Sequence, residues 1–132
     1  MNINNRPLGG VVRGVCYSGF REGQHPDRGS GAVNPSYEQT LEDLRIIAKS
    51  DFGIIRVYDS GSNSRMVLSI IREERLPLQV MLGIWLKAEI SNHETCEWLN
   101  DPIPESELIA NAKSNQDEIQ RGIALAKQLR MW

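Results

Sequence analysis

The sequence contains few of the residues that mark several common protein classes. Among 132 residues there are only two cysteines, Cys16 and Cys96, and two histidines, His25 and His93. Two cysteines are too few for a disulfide framework, and the single His-x-x-Cys spacing from His93 to Cys96 has no second pair to complete a zinc site. Cys16 lies within an apolar run, which favours a buried free thiol over a disulfide or a nucleophile.

Long apolar runs and an excess of one charge are also missing. Apolar stretches reach only about ten residues, which is too short to span a bilayer. The first ten residues lack the apolar centre of a signal peptide. The sequence has 15 Lys and Arg and 17 Asp and Glu, which gives a net charge of −2, and it has no basic cluster. This balance argues against nucleic acid or an anionic membrane as the main partner, and the length suits one domain over residues 1–132.

Three apolar, β-rich stretches each precede a helical pattern. We expect strands near residues 11–18, 52–60 and 78–86, and helices near residues 36–49, 63–75 and 105–130. Because the strands carry consecutive apolar residues, they are typical of parallel strands that are buried on both faces. The sequence therefore predicts βαβ units of the α/β class. An open three-stranded sheet and a segment of a β/α barrel both fit this pattern.

Polar residues predict where the helices begin. Asn34, or Ser36 within a capping box, can start the first helix, and Ser62 or Asn63 can cap the second. The third helical region has a polar middle at residues 114–118 that resembles a fresh N-cap, so we expect a break or kink there.

The number of units is unusual for either architecture. A three-stranded parallel sheet leaves two apolar edges and a poorly covered face, whereas a complete barrel needs about 250 residues. We therefore expect either a fragment or a protein whose edges are covered by a second copy or by another chain.

The strand ends and the long loop at residues 14–31 carry the candidate site, because sites on parallel sheets form where the strands end. Few apolar residues occur in that loop, which is typical of a functional or disordered loop. Aromatic rings stack on sugars, and polar groups bond sugar hydroxyls. We predict a carbohydrate-binding set of Tyr17, Arg21, Gln24, Arg56, Tyr58, Asp59 and Trp85, to which the loop adds His25 and Asp27.

Each feature also has a structural alternative. The aromatic residues can simply close the core, and Asp59 can serve a turn. Arg56 lies in an apolar strand, so an ion pair with Asp59 or a loop acid competes with a functional role. Residues 29–31 and 59–64 precede helices and suit an anion, but neither matches a known phosphate-loop spacing. Nothing places Asp59 and Glu89 as the facing carboxylates that glycoside hydrolysis requires.

Four stretches together resemble the bacterial branch of glycoside hydrolase family 17: GVCYSGFREGQHPDRG, EQTLEDLRII, IIRVYDSG, and VMLGIWL followed by NQDEIQRGIALA. Members are retaining β-1,3-glucan hydrolases and glucanosyltransferases on a (β/α)₈ barrel. The resemblance implies about three βα repeats of a TIM-type barrel, a β-glucan oligosaccharide or polysaccharide as ligand, and neither metal nor organic cofactor. It also implies that Tyr17 and Tyr58 line the subsite floor, that Arg56 supports the nucleophilic carboxylate and that Trp85 faces the cleft.

The same resemblance implies that this chain lacks the catalytic carboxylates. In the family the general acid closes the fourth strand and the nucleophile lies on the seventh, and the sequence reaches neither position. Asn115 and Glu118 lie in a helix and are not substitutes. We therefore expect sugar binding but no hydrolysis by the chain alone, with self-association or a C-terminal partner chain covering the sheet edges. The family acts on envelope or secreted glucans, which leaves the location of this chain undetermined.

Two other functions remain open from the residues. One is a non-catalytic carbohydrate-binding or interaction module that keeps the aromatic strand ends. The other is an open α/β domain that binds a phosphorylated ligand at residues 61–64.

Overall fold

Three parallel strands alternate with three helices in the part of the chain that the structure describes. A computed structural model describes residues 12–24, 33–95 and 101–129. The elements are β1 (Gly14–Cys16), α1 (Tyr37–Lys49), β2 (Ile54–Val57), α2 (Ser62–Glu73), β3 (Gln79–Leu82) and α3 (Glu105–Leu129). The strands lie in the order β1-β2-β3, and Ile55 pairs with Val15 on one side and Val80 on the other. This confirms the α/β class, in an arrangement consistent with part of a TIM-type barrel.

Apolar side chains on one face of the sheet form the core with α1 and α2. Successive strand residues point to opposite faces, so Ile55 and Val57 lie on different levels of the same face. They cluster with Leu44 of α1 and with Val67 and Ile70 of α2, and all five are at most 3% exposed. Burial of each such side chain contributes about 1.5–3 kcal/mol to stability.

The opposite face of the sheet is open apart from Ile54 of β2, which is 8% exposed. Gly14 and Cys16 of β1, Arg56 of β2 and Met81 of β3 are all exposed. Burial on both faces was therefore the wrong expectation for the outer strands, because the helices cover one face and no described helix covers these positions on the other. Cys16, expected to be buried, is an exposed free thiol, since it alternates with the half-buried Val15.

The first two helices begin in different ways. Ser36 and Gln39 form the expected capping box: the Ser36 hydroxyl accepts from the Gln39 N–H at 3.2 Å, and the Gln39 side chain accepts from the Ser36 N–H at 3.0 Å. The N-cap of α2 is Gly61, which makes no side-chain cap hydrogen bond. A cap at Ser62 or Asn63 was therefore wrong, because the helix starts one residue earlier than a Ser62 cap and two residues earlier than an Asn63 cap would require.

The third helix runs unbroken for 25 residues, so the break expected within residues 114–118 is wrong. Asn111, Asn115 and Glu118 are spaced four and three residues apart, which places them on one face of α3. All three are buried, at 8%, 3% and 7% exposure. The polar middle of the helix therefore docks onto the protein and does not start a new helix.

A close backbone approach marks the end of β3. The Gly83 N–H donates to the carbonyl oxygen of Val57 at 2.8 Å. A Cβ at this position would lie 2.6 Å from the carbonyl oxygens of both Val57 and Tyr58. Only glycine fits without moving backbone, so the ends of β2 and β3 leave the sheet in close contact.

Candidate functional site

An arginine and a tyrosine meet on the open face at the end of β2. The guanidinium of Arg56 lies over the ring of Tyr58, 5.2 Å from its centroid, in a cation–π contact. Tyr58 is 37% exposed. Ion pairs within the described residues involve other arginines, so the alternative of an Arg56–Asp59 pair is not formed and Arg56 has no carboxylate partner there. Its charge is satisfied by the ring face and by solvent.

Cys16 adjoins this pair from the neighbouring strand. It is the register partner of Arg56 across β1 and β2. A side-chain hydrogen bond with Cys16 and then burial raise the pKa of Tyr58, while the charge of Arg56 opposes the shift. The open face thus presents a thiol, a guanidinium and a phenol side by side.

Trp85 extends the same end of the molecule beyond β3. Trp85 is 52% exposed, and its backbone N–H donates to Oε1 of Glu118 at 3.2 Å. The same oxygen accepts from the Ser60 N–H at 2.8 Å, while Oε2 accepts from the Ser60 hydroxyl at 2.7 Å and from Arg121 at 2.8 Å. One carboxylate on α3 therefore joins the segments that follow β2 and β3.

The charge state of Glu118 follows from these contacts. Burial opposes ionisation, but hydrogen bonds from Ser60, from the Trp85 backbone and from Arg121 outweigh it and lower the pKa of Glu118 to about 2. Glu118 is therefore ionised at neutral pH. A group that holds no proton there cannot serve as a general acid.

Two asparagines continue the docking of α3 along the extended chain. Asn115 accepts from the Lys87 N–H at 2.8 Å and donates to the Lys87 carbonyl at 2.9 Å, and Asn111 donates to the Ala88 carbonyl at 2.9 Å. Sequence reasoning assigned no functional role to Asn111, Asn115 or Glu118. The signal was their spacing at i, i+4 and i+7, which places polar side chains on one helix face.

The sequence-predicted residues of the first loop lie against α1. Tyr17 is buried at 8% exposure, and its hydroxyl donates to Asp43 at 3.1 Å. Arg21 donates to Asp43 at 2.7 Å and to Glu42 at 2.9 Å. Gln24 is likewise tied to α1, through the side chain of Gln39 at 2.8 Å. The structure therefore brings Arg56 and Tyr58 together at the open face, but holds Tyr17, Arg21 and Gln24 to the covering helix.

Asp59 lies two residues before Gly61, the N-cap of α2. Its Oδ1 accepts from the Gly61 N–H and from the Ser64 hydroxyl, both at 3.0 Å. A carboxylate therefore already occupies two of the donors at residues 61–64 that a phosphate could use. His25, Asp27, residues 29–31 and Cys96 lie outside the described residues.

No group of three or more His, Cys, Asp or Glu side chains within the described ranges could hold a metal ion. None of the helices described is long and apolar enough to cross a membrane.

Comparison with known proteins supports the barrel fold. Neither a protein-family model nor a curated protein matches the sequence. Over 90% of its length, however, the chain resembles the crystal structure of an endo-laminarinase from Formosa Hel1_33_131, with a TM-score of 0.64 and 23% sequence identity. The chain spans 28% of that protein's length. At this identity the likeness shows a shared fold, that of part of a glycoside hydrolase.

Proposed function

We propose that the chain forms the first three βα units of a retaining β-1,3-glucan hydrolase or transglycosidase of the family 17 type, and that it binds glucan without cleaving it. The observation that carries this proposal is the open-face pair of Arg56 and Tyr58 at the ends of parallel strands. The laminarinase, named for action on a β-1,3-glucan, supports it through a shared fold.

The exposed aromatic residues supply the chemistry of sugar binding. Tyr58 and Trp85 follow the carboxyl ends of the neighbouring parallel strands β2 and β3, and they are 37% and 52% exposed. Aromatic faces of this kind stack on the C–H face of a pyranose ring. Asp59 orders the turn between Tyr58 and α2 and thus holds the rim of the proposed cleft.

Arg56 supports the view that an acid from elsewhere completes the site. A guanidinium on the inner face of a barrel strand, without a carboxylate partner among the described residues, suits a carboxylate placed on another strand. Retaining hydrolysis needs two carboxyl groups about 5–5.5 Å apart. Glu118 is ionised and buried, so it does not fill either role. We therefore propose that both catalytic carboxylates come from residues outside this chain.

Tyr17, Arg21 and Gln24 fit this proposal in a different way. They fasten the start of the first loop to α1 by five side-chain hydrogen bonds. We propose that they shape one wall of the cleft by holding the loop, with Arg21 and Gln24 near its rim.

Calorimetric titration of the purified 132-residue chain with laminari-oligosaccharides tests the proposal. We expect binding, with affinity lowered about tenfold by Tyr58→Ala and by Trp85→Ala, because each change removes one stacking surface. Tyr37→Ala is the matched control: Tyr37 is also 37% exposed but lies on α1. Equal losses in the control, or no binding by the wild type, would contradict the proposal.

Reducing-sugar release in the same samples separates the proposed half-site from an active enzyme. We expect none, and measurable hydrolysis of a β-1,3-glucan by the chain alone would refute the proposed absence of catalytic groups. Binding without hydrolysis is also what the alternative of a non-catalytic carbohydrate-binding module predicts. Adding a C-terminal barrel fragment of a family 17 enzyme distinguishes the two, because only the half-site would gain activity.

Within the described residues, the uncovered face and edges of the sheet favour a second polypeptide as partner. Met81 of β3 lies on that face and is 49% exposed. In the described sheet β3 is paired only with β2, which leaves its other edge free. We propose that self-association or a C-terminal partner chain covers this surface. Analytical ultracentrifugation should show a mass above the 14.9 kDa of one chain, and a monomer at all concentrations would leave only the separate-partner form of this proposal.

A further inference from the structure

We propose that Glu118 is a positioning residue of the candidate glucan-binding face: its carboxylate fixes the segments after β2 and β3, and through them the placement of Tyr58 and Trp85. This inference rests on the proposed function, because it assigns Glu118 a role in presenting those two side chains to sugar. Glu118 itself is 7% exposed and makes its contacts on the α3 side, so it is not placed to touch the ligand.

The geometry that carries the inference is a shared acceptor. Oε1 of Glu118 accepts from the backbone N–H groups of Ser60 and of Trp85, at 2.8 and 3.2 Å. These two groups belong to different strand ends, beyond the last sheet-like contact from the Gly83 N–H to the Val57 carbonyl. The register of β2 and β3 ends at Val57 and Leu82, and Glu118 bridges the two segments beyond that point. The carboxylate therefore holds the segments after β2 and β3 in register.

The second oxygen locks the carboxylate in this orientation. Oε2 accepts from the Ser60 hydroxyl at 2.7 Å and from Arg121 at 2.8 Å. Ser60 is 1% exposed, so its donors have no access to solvent as a substitute. Donors left unpaired in such a site carry a large desolvation cost, and the segment would shift to recover partners.

Helix α3 approaches closely enough to make this contact specific. Gly122, one turn after Glu118, faces Ile84 and Ser60, and a side chain there would collide with the end of Ile84. Glu118 can reach both strand ends only while the helix lies this near. Its neighbour Asp117 is exposed and carries the same charge without any of these strand contacts, which makes it the matched control.

Three variants of the full chain test the inference: Glu118→Leu, Glu118→Gln and the control Asp117→Asn. Amide hydrogen exchange measured by NMR should show the Ser60 and Trp85 amides protected in the wild type and in Asp117→Asn. Protection at these two amides should fall at least about tenfold in Glu118→Leu, which has no acceptor, and less in Glu118→Gln, whose amide oxygen can still accept.

Affinity for laminari-oligosaccharides is the second readout, taken at a temperature where circular dichroism shows each variant folded. We expect about a tenfold loss for Glu118→Leu, partial recovery in Glu118→Gln and no change in Asp117→Asn. A purely stabilising role would lower the melting temperature and leave the affinity of the folded variants unchanged. That result would overturn the inference, as would equal amide protection in wild type and Glu118→Leu.

Failure of the inference and failure of the proposed function give different results. If the wild type binds no glucan, the proposed function fails, while loss of Ser60 and Trp85 protection in Glu118→Leu would still show that Glu118 holds the strand ends. If Glu118→Leu does not fold, Glu118→Gln serves as the test. The inference then requires lower amide protection and lower affinity in Glu118→Gln, with both quantities unchanged in Asp117→Asn.

Discussion

The two faces of the sheet differ in what covers them, although the same three strands supply both. On the covered face Ile55 is fully buried with Leu44 and Ile70. On the open face Arg56 is exposed and Met81 is 49% exposed. The difference arises because alternate strand residues point in opposite directions and the helices pack on one side. It teaches that the covered face carries the stability of the chain, whereas the open face is available for a ligand or a second polypeptide.

The largest expected effect comes from deleting side-chain volume on each face in turn. Leu44→Ala should lower the free energy of unfolding by about 3 kcal/mol, because it removes a fully buried side chain and leaves a cavity. Met81→Ala on the open face should change it by less than about 0.5 kcal/mol. Urea unfolding measures both. Similar losses in the two variants would break the comparison and would mean that Met81 is covered in solution, as by a second copy.

A pH effect of similar size sharpens the comparison at the strand ends, where a charge takes the place of apolar packing. The pKa of Glu118 is lowered from its ordinary value of 4.5 to about 2 in the folded protein. Its contribution of about 3 kcal/mol is therefore present above pH 4.5 and is lost as the pH falls towards 2. The stability difference between wild type and Glu118→Gln should shrink over that interval in urea unfolding. A difference that is constant with pH would contradict the lowered pKa.

A smaller effect distinguishes the tyrosines of the two faces. Tyr17→Phe should cost about 1 kcal/mol of stability, because Tyr17 is buried and loses its hydrogen bond to Asp43. Tyr58→Phe should cost less than about 0.5 kcal/mol, since the Tyr58 side chain is exposed to solvent. Thermal unfolding of both variants provides the measurement. A larger loss at Tyr58 than at Tyr17 would reverse the roles assigned to the two faces.

The order and type of the elements could be predicted from the sequence because each leaves a local pattern. Consecutive apolar residues indicated three parallel strands, and Ser36 with Gln39 indicated the start of α1. Exposure of the outer strands could not be predicted in the same way. Whether Cys16 is buried depends on what covers the second face, which local patterns do not contain.

The candidate site was predictable only in part, for a related reason. Strand ends can be located from the sequence, and the structure does bring Arg56 and Tyr58 together there. Glu118 contacts Ser60 and Trp85, which precede it in the sequence by 58 and 33 positions, and no local rule relates positions so far apart. A polar stretch in a helix therefore predicted a break, where the structure uses it for docking onto backbone.

The amide of Asn115 also has a consequence for self-assembly. It binds both the N–H and the carbonyl of Lys87, the two groups that an adjoining strand would use. Exposed strand edges act as templates for uncontrolled association between chains. Asn115 therefore occupies the backbone at Lys87, beyond the end of β3 (Gln79–Leu82), so an incoming strand that extended past β3 would meet these groups already bonded. The helix thereby limits how far an aggregating chain could extend this sheet.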